Sequence, residues 1–422
     1  MLGEIAKGGL TVVKKELKGT YLPMDQLITA MINCIKSELC VQGEEMGVPD
    51  EPVLFLTELY QLSKAHDLAH LVGDALNKCG FWNFLTGMRA DGRDAVAKIQ
   101  EAFDKQIFMA VYRYERIHYE LEQLKRTLNA ADIPFLPLKG SVIRKHYPEP
   151  WMRTSSDIDL LVKSEQLESV IGILTAERSY ERKGEWIDEI SLYSPSGVHI
   201  ELHCTLSAEC ITQEGDVVLS EIWNYAGPID GTSTYLLADE AYYYYHIAHM
   251  AKHMLHGGCG ARPFVDLWIL EHKVEHCDEK RNELLKRGGL RRFADAVRAL
   301  SEAWFNGGAL TEVTRELEAY ILQGGVYGTT ENRVAVQQVK SGGKLRYALS
   351  RIWLPYDILR FQYPSLTGKK GLLPLYEVRR WGRLLFCGGV KRSMNELRLN
   401  SAVTEASQEK TKTLLTELGI GC

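Results

Sequence analysis

Apolar positions recur at helical spacing through most of the chain and switch to a two-residue rhythm in one short stretch. From Met24 to Cys40, Leu27, Met31, Cys34 and Ile35 share one helix face. The run over 52–79 divides into two amphipathic helices. Phe55, Leu59 and Leu62 face inward on the first, and Leu68, Leu71, Val72 and Leu76 on the second. A long helix is expected over 95–130, with Phe103, Ile107, Val111 and Tyr114 on one stripe and Ile117, Leu121 and Leu124 continuing it. The rhythm then changes. Strands are predicted at 133–138, 157–163, 187–193 and 197–204, with Pro195-Ser196-Gly197 as the hairpin between the last two. Helices are expected at 141–146 and 165–179. From Ala238 the helical period returns: Asp239 and Glu240 suit a helix start, Gly257-Gly258 suits its end, and further helices follow near 289–305 and 309–322. Gly324-Gly325 and Gly342-Gly343 bracket a polar segment, Gly328 to Ser341, read as a flexible loop or lid. Residues 1–20 and 400–422 carry weak or polar patterns and are expected to be loosely ordered.

These elements predict an α+β protein: a small mixed β-sheet core flanked by extensive N- and C-terminal helical regions. The expected division is 1–130 helical, 131–208 the sheet-bearing core, 209–325 helical, and 326–422 mostly helical and basic. A chain of 422 residues is long for one hydrophobic core, so more than one module is expected. The net charge of −5 by itself points to no nucleic acid or membrane partner. Nine scattered cysteines with no C-x-x-C predict reduced thiols rather than a disulfide framework, and no signal peptide or spanning segment is read. A cytoplasmic location is the expectation.

The candidate chemistry sits where the rhythm is shortest. Asp157 and Asp159 lie two apart in the apolar run DIDLLV, so both carboxylates project from one strand face while Ile158, Leu160 and Val162 take the other. VHIELHC alternates likewise, with His199, Glu201 and His203 on one face and Val198, Ile200 and Leu202 on the other. If the two strands are neighbours, Glu201 joins the aspartate pair. Three crowded carboxylates repel one another and call for a cation, and Mg²⁺ takes oxygen ligands. Upstream, Leu138-Lys139-Gly140-Ser141 closes a strand and opens a short helix. Such a turn offers N–H groups and a hydroxyl to an anion, and Lys139 and Arg153 add positive charge. An anion cradle beside a metal triad suits phosphoryl or nucleotidyl transfer.

The ordered pattern LKG…YP…R…DIDLLV…IELH resembles the uncharacterised-nucleotidyltransferase family of the polymerase-beta-like superfamily. Gly140-Ser141 looks like that superfamily's turn, Asp157 and Asp159 like its paired metal ligands, and Glu201 like its third acid. The resemblance implies a nucleotidyltransferase catalytic core over 131–208 and a helical region at 209–325 completing the cleft. It implies transfer of a nucleoside monophosphate from an NTP, ATP among the candidates, to an acceptor hydroxyl with Mg²⁺ or Mn²⁺ and release of pyrophosphate. The acceptor is expected to be a small molecule or peptide. Two other readings are a catalytically silent nucleotide-binding protein on the same fold and a toxin-like enzyme acting on tRNA or protein.

Two further features stand out. His246, His249, His253 and His256 fall within about an 80° arc of one helix. They suit a zinc site, a core network or the lining of the cleft. The family resemblance favours the lining, with His249 and His253 as contacts to the nucleotide; Arg262 and Asp266 follow four apart, as an ion pair or as part of the site. From Arg333 to Arg398 there are fourteen Lys/Arg against three Asp/Glu, interleaved with aromatics. Solvated helix faces, a wall facing the triphosphate or an anionic acceptor, and an RNA or anionic membrane surface all fit that composition. Trp151, before the acids, suits either stacking on a base or anchoring its loop.

Overall fold

The computed structural model describes residues 23–421 apart from 42–46, 48, 186–188, 208–210, 357–358, 361–362, 387–397 and 399. The weak pattern at residues 1–20 lies outside the described residues, as does the first part of the strand expected at 187–193. Four helices come first: α1 (Met24–Glu38), α2 (Pro52–Ala65), α3 (Ala69–Lys78) and α4 (Ala90–Ala130). Pro52 starts α2, where its missing N–H costs nothing. Asp67, at φ 57°, takes the left-handed conformation in the short link between α2 and α3.

The sheet has five strands: β1 (Phe135–Pro137), β2 (Asp157–Val162), β3 (Glu181–Glu185), β4 (Glu189–Tyr193) and β5 (His199–His203). Their order is β1-β2-β5-β4-β3, with β2 and β5 parallel and every other pair antiparallel. This is the small mixed sheet expected of the α+β class, with one strand more than the pattern predicted. β3 reads ERKGE and carries no apolar alternation; pairing with β4 makes it a strand. A one-turn helix, α5 (Gly140–Ile143), and α6 (Leu167–Ala176) complete the core region. The helix expected over 141–146 is shorter than predicted, because the chain tightens into a 3₁₀ turn at Arg144–His146.

The two faces of the sheet meet different surroundings. Ile158, Leu160 and Val162 of β2 and Ile200 and Leu202 of β5 pack on Ile117, Leu121, Leu124 and Leu128 of α4 and on Val170 and Leu174 of α6. Each such buried side chain contributes about 1.5–3 kcal/mol. A second core joins α1 and α3 to the helices that follow the sheet: α7 (Gln213–Ser220), α8 (Asp239–Leu255), α9 (Arg262–His272), α10 (Asp278–Arg287), α11 (Arg291–Asn306) and α12 (Glu312–Leu322). Leu136, Leu138 and Leu161 belong to this second core, so the face of β2 that carries the aspartates looks toward it.

Two expectations for the last quarter are corrected. The polar segment read as a loop or lid is mostly a helix, α13 (Thr330–Ser341), with Val334, Ala335, Val336 and Gln338 buried. Its bracketing glycines serve the helix and its approach: Gly342 caps it at φ 73°, and Gly328 lies so close to Gly257 that a side chain would collide with that backbone. Part of the segment expected to be loose forms a helix, Glu405–Glu417, whose Thr411, Leu414 and Leu415 are buried. Among the described residues no helix is long and apolar enough to cross a membrane.

Candidate active site

Parallel pairing of β2 with β5 sets Asp157 beside His199 and Asp159 beside Glu201. Alternation then turns all four side chains, with His203, to the face opposite the α4–α6 core. Asp159 is buried. It accepts from Lys139 Nζ at 2.6 Å and lies 3.0 Å from His203 Nε2. Glu201 Oε2 is 3.9 Å from both of those nitrogens. Two sets of ligand atoms result, Asp157–His199–Glu201 and Asp159–Glu201–His203, each confined within 4.8 Å. The chemistry of these donor sets fits a divalent cation: carboxylates that cannot all stay ionised together, backed by imidazole nitrogens.

The electrostatics show the same strain. Burial would raise the Asp159 pKa, but the Lys139 ammonium and the His203 ring hold it well below the usual carboxylate range. Burial pushes the Glu201 carboxyl up to about 9, and the neighbouring Asp159 charge adds to the shift. Lys139 sits against Asp159 at 2.6 Å and stands 3.9 Å from Glu201, so the negative charge settles on Asp159 and the proton on Glu201.

Lys139 itself adopts a left-handed conformation, φ 47°, at the end of β1. A lysine there is strained by about 1–3 kcal/mol. The turn is fixed by Tyr242 of α8, whose hydroxyl donates to Lys139 O at 2.8 Å. Of the groups expected to cradle an anion, the Ser141 and Val142 amides close the turn on Leu138 O and Lys139 O. The Ser141 hydroxyl is buried and, among the described residues, without a hydrogen-bond partner. Gly140 lines the cleft and Ser141 does not, so of the expected Gly-Ser cradle only the glycine faces it.

Arg153 departs from expectation. It lines the cleft, but its guanidinium is buried and spent on Asp266 of α9, with Nε 2.7 Å and 2.9 Å from the two carboxylate oxygens. Tyr147 donates to the same carboxylate at 2.6 Å. Burial would raise the Asp266 pKa; Arg153 overrides it and holds the group low. The expected Arg262–Asp266 pair is corrected accordingly: Arg262 instead binds Asp67, 2.5 Å away, between α2 and α3. The loop before the acids is thus tied to α9, and the start of α9 to the turn after α2. Trp151 packs edge-on to His70 and against the second core, as a loop anchor.

These elements enclose a cleft of about 320 Å³. Lys139, Gly140, Asp157, Glu201 and His203 form one wall, and His246, His249, Lys252 and His253 of α8 form the other. The four histidines do not act alike. His246 lines the cleft with its ring bonded to Pro263 O, and burial lowers its pKa to about 4. His249 and His253 touch each other at 3.0 Å and face the cleft. His256 is exposed and bonded to Lys252 O. None of the four belongs to a metal-capable group among the described residues. No role was predicted for His199, His203 or Glu189. The signal for the two strand histidines was present, since they alternate with Glu201. The cleft wall ends at Tyr327, and the basic residues of the last quarter do not line it among the described residues.

A family model described as an uncharacterised nucleotidyltransferase matches residues 56–306, more than half of the chain. That span contains every strand of the sheet and both helices, α8 and α9, that close the cleft. No curated protein and no solved structure matches the chain.

Proposed function

The chain belongs to the uncharacterised nucleotidyltransferase family, and we propose that it moves a nucleoside monophosphate from an NTP to a hydroxyl-bearing acceptor with the help of Mg²⁺ or Mn²⁺. The observation that supports this reading is the β2–β5 register, with Asp159 beside Glu201 and bonded to Lys139 at the start of the Gly140 turn. Asp157, Asp159 and Glu201 would hold the ions, with His203 and His199 within reach as nitrogen donors. When bound, the ions neutralise phosphate charge and make the acceptor hydroxyl more acidic.

The chain's own groups do the rest. A phosphate approaches the turn at Gly140, which lines the cleft. His249, Lys252 and His253 hold the triphosphate from the opposite wall, and Lys139 offsets charge on the departing pyrophosphate. Arg153 acts at a distance: pinned by Asp266, it fixes the loop that delivers Asp157. The acceptor oxygen forms the new bond to the α-phosphorus as the α–β bridging oxygen leaves with pyrophosphate; Glu201 would either complete the second metal site or, once metal binding has displaced its own proton, take the hydroxyl proton.

Calorimetry with ATP, CTP, GTP and UTP tests this, each with Mg²⁺, Mn²⁺ or EDTA. At least one NTP should bind in a metal-dependent manner, and Asp159→Asn should abolish that dependence. Equal binding in EDTA, or unchanged binding by the variant, sinks the assignment.

A further inference from the structure

A second, larger cavity of about 450 Å³ opens beside the cleft. The two share Ser155, Ser156, Arg262, Val326 and Tyr327 as a common wall. Ser155 and Ser156 lead directly into Asp157, so a molecule seated in the second cavity reaches the carboxylate face at its edge. Its volume suits a small molecule rather than a polymer.

Its charge is one-sided. Arg113 and Arg116 of α4 and Arg262 of α9 line it, against a single carboxylate, Asp67. That carboxylate is already engaged: it accepts from Thr154 Oγ1 at 2.7 Å and from Arg262, while Arg113 stands 3.9 Å off. Arg116 is held by Ser196 O in the β4–β5 hairpin and lies over the Tyr112 ring. With Asp67 ionised, the three guanidinium groups leave a net charge of +2 on the lining. Asp157, Glu201, His203, Gly140 and the histidines 246, 249 and 253 line the first cavity, which on the transfer reading takes the triphosphate and its ions. The second cavity offers no free carboxylate to an ion. What it offers is a guanidinium-rich wall, the geometry that recognises planar or tetrahedral oxyanions, and apolar patches from Ile117, Val198 and Val326.

Resting on the nucleotidyl-transfer reading above, we propose that this cavity is the acceptor site, and that the acceptor is a small hydroxylated molecule bearing a carboxylate or phosphate that Arg113 and Arg116 bind.

Calorimetry on the full chain at low salt tests it with matched probes: glycerol 3-phosphate against glycerol, and gluconate against glucose. The anionic member of a pair should bind at least about tenfold more tightly than its neutral partner, and Arg113→Ala/Arg116→Ala should remove that advantage. Arg113→Glu alone, at an exposed helix position, should do the same without disturbing the hairpin. A preference for phosphate over carboxylate, or the reverse, names the anion. Equal binding of charged and neutral probes, no binding of any probe, or anion binding that survives both variants overturns the proposal. Metal-dependent NTP binding is measured in parallel on the same proteins. Its loss in the native chain with anion binding intact would fell the transfer reading and leave the anion pocket standing. Intact NTP binding with no anion preference would do the opposite.

Discussion

Two rows of polar side chains were readable from spacing alone, one on strands and one on a helix, and they meet different fates. The strand row, Asp157, Asp159, His199, Glu201 and His203, stays together. The helix row, His246 to His256, does not: three members line the cleft, one of them bonded to a backbone carbonyl and two to each other, and the fourth lies in solvent. The cause is geometric. In a sheet, alternate residues of paired strands stay within about 5 Å of their neighbours on a single surface. On a helix, residues sharing a face still climb about 1.5 Å each, so the histidine row spans about 15 Å and crosses from core to exterior. A shared helix face says less about a shared environment than a shared strand face does.

The sharpest way to break the comparison is to remove one member of the strand row. Glu201→Gln should lower pyrophosphate release by at least about a hundredfold, several kcal/mol of transition-state stabilisation. In metal-free buffer the same variant should melt no lower than the native chain, because glutamine mimics the protonated carboxyl.

Next comes the scaffold behind that row. Asp266→Asn leaves the buried Arg153 guanidinium without its charge partner and should cost about 3–5 kcal/mol in a denaturant titration. Tyr147→Phe removes one hydrogen bond to the same carboxylate and should cost about 1 kcal/mol.

The helix row should split under substitution. His253→Ala should raise the KM for NTP by about tenfold with little change in melting temperature. His246→Ala should do the reverse, costing about 1–3 kcal/mol of stability through its orphaned partner and lost packing. His256→Ala should stay within about 0.5 kcal/mol and leave activity alone. Equal effects at all three would mean that the row acts as one unit.

A separate effect is in pH. Burial lowers the folded pKa of His66 and of His246 to about 4, from an ordinary value of 6.5. Between those limits the unfolded chain binds more protons, so stability falls as pH drops through that window. Replacing His66 by Asn should flatten the fall, as read by melting temperature against pH.

Much of the fold was legible. The helices through α4, the strands around the acids and the α8 helix announce themselves by period, and the opposed faces of β2 and β5 follow from alternation. What escaped depends on distant partners. β3 is a charged segment that only pairing makes a strand. The α13 helix was hidden by glycines that read as loop signals but cap and admit a helix. Arg153 looked like a free cation because its partner, Asp266, stands 113 residues away and spacing favoured Arg262 for that aspartate. Ion-pair choice is a tertiary property, and local spacing carries little of it.

That 113-residue reach has a kinetic meaning. Contacts so far apart along the chain close late, after helices and hairpins have formed on their own. The loop that leads into Asp157 is anchored on α9, so a refolding chain should regain helical content well before metal-dependent nucleotide binding.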